Sequence, residues 1–310
     1  MTPADDEFYD TDETSGEYFR MILGDSCEEL PKMAAETVDL SIHSPPFDSL
    51  YTYTPSIRDI GNSPDRATFH QHYGFVVREL LRLTRPGRMA CVHVMDVPTT
   101  KATHGVVGLT DFSAEVVRDY VEAGWIYVNR ITIRKNPQAA ATRTKSHGLA
   151  FAQLRRDRSQ TRPVYPDYLL LFRKPGQNAT PINGPLYPGN TITQDNDLWI
   201  KWAEAVWDDI RETNTLNVAV AREDADERHL CPLQLDLIER CVRLWSNPGE
   251  HILSPCGGIG SEGYVAIKAG RRYTGIELKR SYWTTAVKNL SEAEADTHAP
   301  SLFDAFGADA

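Results

Sequence analysis

The sequence contains few cysteines, no CxxC pair and no long apolar run. Its five cysteines are Cys27, Cys91, Cys231, Cys241 and Cys256. An odd number without paired spacing makes a poor disulfide framework. Apolar runs such as Leu169–Phe172 are far too short to span a bilayer, and the acidic N-terminus lacks the basic and then apolar pattern of an export signal. These absences predict a protein of the reducing cytoplasm, without a membrane segment.

Charge is spread unevenly over the 310 residues, whose net charge is −10. Residues 1–17 contain seven acids and residues 291–310 contain five, and neither stretch has a lysine or arginine, which predicts two acidic, solvated tails. Between residues 130 and 174, eleven basic residues accompany only two acids. Such a segment is typical of a surface that binds a phosphate backbone, although a solvated face with partners elsewhere in the fold gives the same pattern.

Strand and helix signals alternate along the chain. Val38, Leu40 and Ile42 alternate with polar residues, which predicts a strand over 37–43 that stops at the Ser-Pro-Pro-Phe segment of residues 44–47. Strands are likewise predicted over 18–23, 88–95, 125–133, 164–173, 251–253 and 272–276. Helices are predicted to begin near Ser26, Thr68, Asp111, Pro232 and Ser261. This alternation is typical of a doubly wound α/β sheet.

A glycine-rich motif follows the predicted strand 251–253. Gly258, Gly260 and Gly263 fit the pattern G-x-G-x-x-G, a helix follows from Ser261, and the next strand ends at Glu277. Glycine lets a ligand approach the backbone closely at the N-terminus of the helix, and an acid that ends the next strand can bind both ribose hydroxyls. The motif predicts a nucleoside-containing cofactor, with a glycine-rich turn and an unrelated surface acid as the alternative.

The position of this motif constrains the order of the strands. Only 47 residues follow Gly263, too few for the further strands that such a sheet needs. Those strands must come from earlier in the sequence, so we expect a circularly permuted sheet. Ligands bind beyond the carboxyl ends of parallel strands, which places the Ser-Pro-Pro-Phe segment beside the glycine-rich motif.

The order of these motifs resembles that of the β-class DNA amino-methyltransferases, which use S-adenosylmethionine and carry a (D/N/S)-P-P-(Y/F/W) motif ahead of the glycine-rich one. The likeness covers most of residues 18–290. It implies an α/β fold with a circularly permuted, Rossmann-like methyltransferase sheet and an inserted DNA-recognition segment. It also implies a catalytic motif of Ser44, Pro45, Pro46 and Phe47. The cofactor-binding residues that it implies are Asp25, His229, Cys231, Pro232, Ser254, Pro255, Cys256, Gly258, Gly260, Ser261 and Glu277.

Two positions depart from the pattern of this family. Ser254 stands where the family usually has aspartate, and Cys256 stands where it usually has phenylalanine. Both differences concern how the methionine end of the cofactor is held, and neither affects the expected fold.

The chemistry accounts for the residue types of the Ser-Pro-Pro-Phe motif. The exocyclic amine of cytosine or adenine is a poor nucleophile because its lone pair is delocalised into the ring. The Ser44 hydroxyl and, by the resemblance, the Pro45 carbonyl would accept the amine hydrogens, and Phe47 would stack on a flipped base. By the family resemblance, the serine favours N4 of cytosine over N6 of adenine as the target, although serine and aspartate both accept a hydrogen bond from an amine.

The resemblance and the charge pattern together divide the chain. We expect an acidic tail over 1–17, a catalytic half over 18–135, a DNA-binding insertion and linker over 136–230 that includes the core strand 164–173, a cofactor-binding half over 231–290 and an acidic tail over 291–310. The residues expected to bind double-stranded DNA are Arg134, Lys135, Arg143, Lys145, Arg155, Arg156, Arg158 and Arg162. A homodimer fits this prediction, and the sequence specifies no restriction partner.

Two other functions fit parts of the sequence. An NAD-dependent oxidoreductase shares the glycine-rich motif but requires further strands after it. A DNA-binding homologue that has lost catalysis is suggested by Ser254 and Cys256. His70, His72 and His93 do not change this choice, because no cysteine or acid completes a metal-ligand spacing and we expect no metal.

The ribose contact can be tested by replacing Glu277. The Glu277→Ala variant should bind S-adenosylmethionine more weakly, because the carboxylate that accepts the ribose hydroxyls is lost. Isothermal titration calorimetry measures this affinity. An unchanged affinity would mean that the acid does not contact the ribose.

Overall fold

The computed structural model describes residues 9–47, 56, 58–99, 101, 105–137, 155–160, 164–216 and 232–298. Its strands are β1 (Asp12–Ser15), β2 (Phe19–Leu23), β3 (Val38–His43), β4 (Thr84–Met95), β5 (Val97–Thr99), β6 (Gly108–Thr110), β7 (Ile126–Ile133), β8 (Asp167–Arg173), β9 (Val206–Trp207), β10 (His251–Ser254) and β11 (Arg272–Glu277). Its helices are α1 (Ser26–Glu29), α2 (Arg66–Leu83), α3 (Phe112–Glu122), α4 (Ile192–Trp202), α5 (Leu235–Trp245), α6 (Ser261–Lys268) and α7 (Arg280–His298). None of these described helices is long and apolar enough to cross a membrane. Every strand and helix predicted from the sequence corresponds to one of these elements.

Among the described residues, nine strands form one mixed sheet in the order β1-β2-β11-β10-β3-β4-β8-β7-β9. The five neighbours β2, β11, β10, β3 and β4 run parallel, and β8 and β7 extend the sheet in antiparallel fashion. Since β10 and β11 lie between β2 and β3, strands from early in the chain complete the sheet around the late ones. The predicted α/β class is confirmed, and the circular permutation stays a prediction.

Apolar layers cover both faces of this sheet. Leu40 and Ile252 point to one face, where they pack in a core formed with helices α5, α6 and α7. Val38 and Leu253 point to the other face, in a core formed with α2 and α3. Strand β3 is buried along its whole length, as expected for a parallel strand covered by helices on both sides. The two layers fix the strand ends, and the loops that follow these ends form the site described below.

The acidic ends of the chain contain more regular structure than their composition predicts. Strand β1 lies inside the predicted tail 1–17 and pairs with β2, and α7 continues to His298. Arg280 forms ion pairs with Asp10 and Asp12, so basic residues from elsewhere in the fold compensate the acids of the N-terminal segment. Both tails are therefore shorter than predicted.

The third glycine of the motif is required for packing between α6 and the sheet. A Cβ at Gly263 would lie 2.4 Å from the Tyr273 ring and 2.5 Å from the Leu290 side chain, both of which are buried. The Gly263→Ala variant should therefore lose about 1–3 kcal/mol of unfolding free energy, measured by urea denaturation. Gly184→Ala is the matched control, because a Cβ there would meet no described atom within 4 Å. Equal stability of the two variants would contradict this packing role.

Candidate active site

The carboxyl ends of four neighbouring parallel strands open into one cleft. Strand β2 leads to Asp25, β11 ends at Glu277, β10 leads to Pro255 and Cys256, and β3 leads to Ser44. The cleft holds about 1240 Å³ of empty space, counted out to its open mouth. Ligands bind at this edge of open α/β sheets, and the structure brings most of the predicted site residues together here. The predicted residues on its walls are Asp25, Ser44, Pro45, Pro46, Phe47, Pro232, Pro255, Cys256, Gly258, Ser261 and Glu277.

Backbone hydrogen bonds fix the glycine-rich loop to the end of β11. The Gly257 amide donates to the Ile276 carbonyl at 2.7 Å, and the Gly258 amide donates to the Glu277 carboxylate at 2.8 Å. Gly258 and Gly260 have φ angles of +50° and +84°, in the left-handed region that side chains disfavour. The loop and the acid therefore hold each other in place at the cleft wall.

Glu277 is the acid that the glycine motif predicts. Burial raises the pKa of Glu277 to about 7, although the amides of Lys279 and Gly258 each donate to its carboxylate at 2.8 Å. Each carboxylate oxygen has two lone pairs, so both oxygens can accept a further hydroxyl donor. The position and the chemistry of this side chain suit the two hydroxyls of a ribose.

Helix α1 holds Asp25 at the same cleft. Asp25 accepts the Cys27 amide at 2.8 Å, and the Arg58 guanidinium lies 3.4 Å from its other carboxylate oxygen. The Ser26 hydroxyl donates to the Pro255 carbonyl, which ties α1 to the segment that follows β10. The ends of β2 and β10 are thereby held next to each other.

Ser44 lies at the end of β3, at one end of a series of polar contacts. Its hydroxyl donates to the His93 carbonyl at 3.1 Å, and its Oγ lies 3.4 Å from His93 Nδ1. His93 Nε2 lies 2.9 Å from Asp167 Oδ2, to which the Lys135 ammonium also donates at 2.5 Å. Because a carbonyl engages the Ser44 hydrogen, lone pairs of Ser44 Oγ can accept a hydrogen bond from a group in the cleft.

The charge of Asp167 is compensated inside the protein. Although burial opposes ionisation, His93 and Lys135 lower the pKa of Asp167 below its ordinary value. Asp167 and His93 are both buried, and the Lys135 side chain is only 11% exposed. These three side chains form a compensated polar group that supports the Ser44 end of the cleft.

The residues predicted to bind DNA lie in different environments. Lys135 has its ammonium engaged by buried Asp167, and its predicted contact with DNA stays a prediction. The exposed members of the predicted set are Arg134, Arg155, Arg156 and Arg158. The members that lie outside the described residues are Arg143, Lys145 and Arg162.

Two residues predicted to bind the cofactor lie beside the cleft and not on its wall. Ser254 is fully buried because it is still part of β10, where it pairs with Gly275. The Gly260 amide closes a turn onto Gly257, and a Cβ built on Gly260 would point at Ala286 of α7, 3.2 Å away. His229 and Cys231 of the same predicted set lie outside the described residues.

Three functional candidates were missed in the sequence. Glu262 and Asp59 line the cleft, and His93 supports Ser44. The signal for Glu262 was present, since it is an acid inside the glycine motif itself. Asp59 and His93 carry no comparable signal, because only the fold brings them to this edge of the sheet. Among the described residues, no group of three or more histidines, cysteines or acids could hold a metal ion.

The comparison with protein families identifies the class. Residues 38–288 match the N6/N4 DNA methylase family, a span that includes both the Ser-Pro-Pro-Phe segment and the glycine-rich motif. The chain belongs to this family. It is a DNA amino-methyltransferase that uses S-adenosylmethionine, so the predicted enzyme class and cofactor are confirmed and the NAD-dependent alternative is not.

Proteins similar to this chain include a type II methyltransferase and a DNA adenine methyltransferase. The type II methyltransferase M.MjaI of Methanocaldococcus jannaschii is 21% identical over 284 residues, which cover 84% of this chain and 88% of that protein. The DNA adenine methyltransferase YhdJ of Escherichia coli is 34% identical over 70 residues, which cover 23% of this chain and 24% of YhdJ. The second similarity is local and does not extend over either whole protein.

Solved structures share the fold. TTHA0409 of Thermus thermophilus, crystallised with S-adenosyl-L-methionine, has a TM-score of 0.62 and 23% identity, with 90% of this chain and 94% of that chain covered. PvuII DNA methyltransferase, which is cytosine-N4-specific, has a TM-score of 0.61 and 16% identity, with 91% of this chain and 93% of that chain covered. At these identities the likeness establishes the fold alone.

The charge and shape of the cleft fit S-adenosylmethionine. The glycine-rich loop allows close approach of a ligand, and Glu277 can accept ribose hydroxyls. Asp25, Asp59 and Glu262 add further acids to the walls, where Arg58 is the basic side chain among the lining residues. A ligand with a sulfonium and an ammonium group is complementary to such walls.

The Asp167 contacts can be tested by removing its charge. The Asp167→Asn variant should lose about 3–5 kcal/mol of unfolding free energy at neutral pH, because the ammonium of Lys135 is left nearly buried and unpaired. Urea denaturation measures this loss. Asp157→Asn is the control, since Asp157 is exposed and should tolerate the change.

The same experiment has a pH dependence. The pKa of Asp167 is lowered in the folded protein, so its stabilising effect is present above the ordinary carboxyl pKa and is lost as the pH falls through the lowered value. The difference between wild type and Asp167→Asn should therefore shrink in acid. A difference that persists unchanged at acidic pH would contradict an ionised Asp167.

Proposed function

We propose that this enzyme transfers the methyl group of S-adenosylmethionine to the N4 amino group of a cytosine in double-stranded DNA. The observation that carries the proposal is the orientation of Ser44, whose hydroxyl donates to the His93 carbonyl and keeps its lone pairs for an amine. The initial serine of the Ser-Pro-Pro-Phe motif favours cytosine, and N6 of adenine is the other target open to this family.

Different residues of the cleft would bind different parts of the cofactor. Glu277 would hold the ribose, and the loop at Gly258 would let the nucleoside approach the backbone closely. Asp25 and Pro232 complete the wall on which the cofactor would rest. When it is bound, the cofactor supplies an electrophilic methyl group on its sulfonium.

The residues after β3 would prepare the base. Ser44 Oγ and the Pro45 carbonyl would each accept one hydrogen of the exocyclic amine, which localises the lone pair on nitrogen and aims it at the methyl group. Phe47 offers a ring face to the flipped base while its edge contacts Phe112, with ring centroids 5.9 Å apart. This catalysis consists of positioning and electrostatics, and it needs no covalent intermediate.

The exposed arginines of the basic segment would contact the DNA backbone. Arg155, Arg156 and Arg158 lie close together in sequence and are exposed to solvent. Guanidinium groups bind phosphates in a bidentate geometry, and a flipped base requires that the duplex be held on both sides of the target. Base recognition would come from side chains that enter a groove of the duplex.

The reaction can be tested with methyl-labelled S-adenosylmethionine and unmethylated DNA, followed by mass spectrometry of the nucleosides. We expect N4-methylcytosine. A gain of N6-methyladenine instead would overturn the choice of base and retain the enzyme class. The absence of any labelled base, with cofactor binding verified, would favour the non-catalytic DNA-binding alternative.

The Ser44→Ala variant tests the role of Ser44 in the same assay. It should lower turnover on the order of 100-fold, because an acceptor for the amine is lost, while S-adenosylmethionine affinity stays nearly unchanged. Ser159→Ala, at an exposed serine of the basic segment, is the matched control and should retain turnover. Loss of cofactor affinity in Ser44→Ala would reassign this residue to cofactor binding.

A further inference from the structure

Glu262 is a buried acid on the cleft wall to which the mechanism above gives no role. It lies in the first turn of α6, between Gly260 and Gly263 of the glycine-rich motif, and is only 5% exposed. Among the described residues no basic side chain pairs with it, and the hydrogen bond to its carboxylate comes from its own backbone amide. A buried acid without a cationic partner is costly, which indicates a missing positive charge.

The surroundings of Glu262 add to this cost. Burial, together with the nearby charge of Glu277, raises the pKa of Glu262 to about 8. Glu262, Glu277 and Cys256 all line the cleft, where burial and then the charges of the two acids raise the pKa of the Cys256 thiol. A cation bound in the cleft would relieve this concentration of negative charge.

The residue before Glu262 supplies a second, independent observation. The Ser261 hydroxyl is buried, lines the cleft and has no hydrogen-bond partner among the described residues. It stands at the N-terminus of α6, where first-turn backbone amides and the helix dipole favour a negative group. The first turn of α6 thus offers the Glu262 carboxylate as an acceptor for a cation, and the Ser261 hydroxyl and the backbone amides as donors for an anion.

Within the described residues, the loop that follows β10 brings no other acid to the cleft wall. Ser254 is buried within β10, away from that wall. Glu262 lies on the cleft wall one short loop further along the chain.

We propose that Ser261 and Glu262 form the subsite for the zwitterionic amino-acid end of S-adenosylmethionine. The Glu262 carboxylate accepts the α-ammonium, and the Ser261 hydroxyl with the first-turn amides of α6 binds the α-carboxylate. Glu277 is then reserved for the ribose at the other end of the same ligand. This assignment rests on the cleft being the cofactor site proposed above.

Calorimetric titration of the whole protein with three ligands tests the subsite. S-adenosylmethionine and S-adenosylhomocysteine both carry the amino-acid end, and methylthioadenosine lacks it. Glu262→Gln should weaken the first two ligands about tenfold or more and leave methylthioadenosine unchanged, because only the charge-assisted contact to the ammonium is lost. Ser261→Ala should weaken the same two ligands to a smaller extent.

Controls separate this role from a structural one. Glu292→Gln, at an exposed position of α7, should change none of the three affinities. Urea denaturation should show that Glu262→Gln is at least as stable as wild type, because the amide replaces a carboxyl group whose ionisation burial opposes.

Each other outcome overturns the assignment. Equal weakening of all three ligands would mean that Glu262 only shapes the cleft, and weakening of S-adenosylmethionine alone would mean that it contacts the sulfonium. Unchanged affinities would exclude a contact with the ammonium. If the wild-type protein bound none of the three ligands, the cofactor cleft itself would be wrong, a result distinct from failure of the subsite alone.

Discussion

The parallel pairing of β10 with both β11 and β3 is the constraint on which the site depends. Strand β10 therefore lies between β3, from the first quarter of the chain, and β11, from near its end. Because the three strands are parallel, the loops that follow them lie at the same edge of the sheet. The Gly257 amide extends the β10–β11 contact beyond the strands by donating to the Ile276 carbonyl. Residues more than 200 positions apart, such as Ser44 and Glu277, therefore reach one cleft.

The cleft walls and the basic segment of this acidic protein carry charges of opposite sign. The cleft walls carry Asp25, Asp59, Glu262 and Glu277, which suit a cationic cofactor and disfavour a phosphate. Arg155, Arg156 and Arg158 are exposed and suit the DNA backbone. Under the proposed function, this separation would give each ligand a surface of opposite charge and would let a chain with a net charge of −10 bind both.

The features of the fold and site that depend on local sequence pattern and on the order of the motifs could be predicted from the sequence. The period-two pattern of β3 and the glycines after β10 located two strand ends, and the rule for parallel sheets then placed Ser44 beside Gly258. The ion pair of Lys135 with Asp167 was not foreseen, because Asp167 is 32 positions away and a charge count does not register such a pair. His93 was missed for a related reason, since its contact with Ser44 exists only once β3 and β4 are paired.

Buried carboxylates near the two ends of the cleft have pKa values that are shifted in opposite directions, because their partners differ. Asp167 has Lys135 and His93 beside it, and its pKa is lowered even though it is buried. Among the described residues no cation of this kind pairs with Glu277 or Glu262, and burial raises their pKa values to about 7 and about 8. The protein thus completes the charge balance behind Ser44 by itself, whereas under the proposed function a cationic cofactor would complete it around Glu277 and Glu262. Such a ligand stabilises the folded protein when it binds, because it compensates charges that the fold buries without a partner.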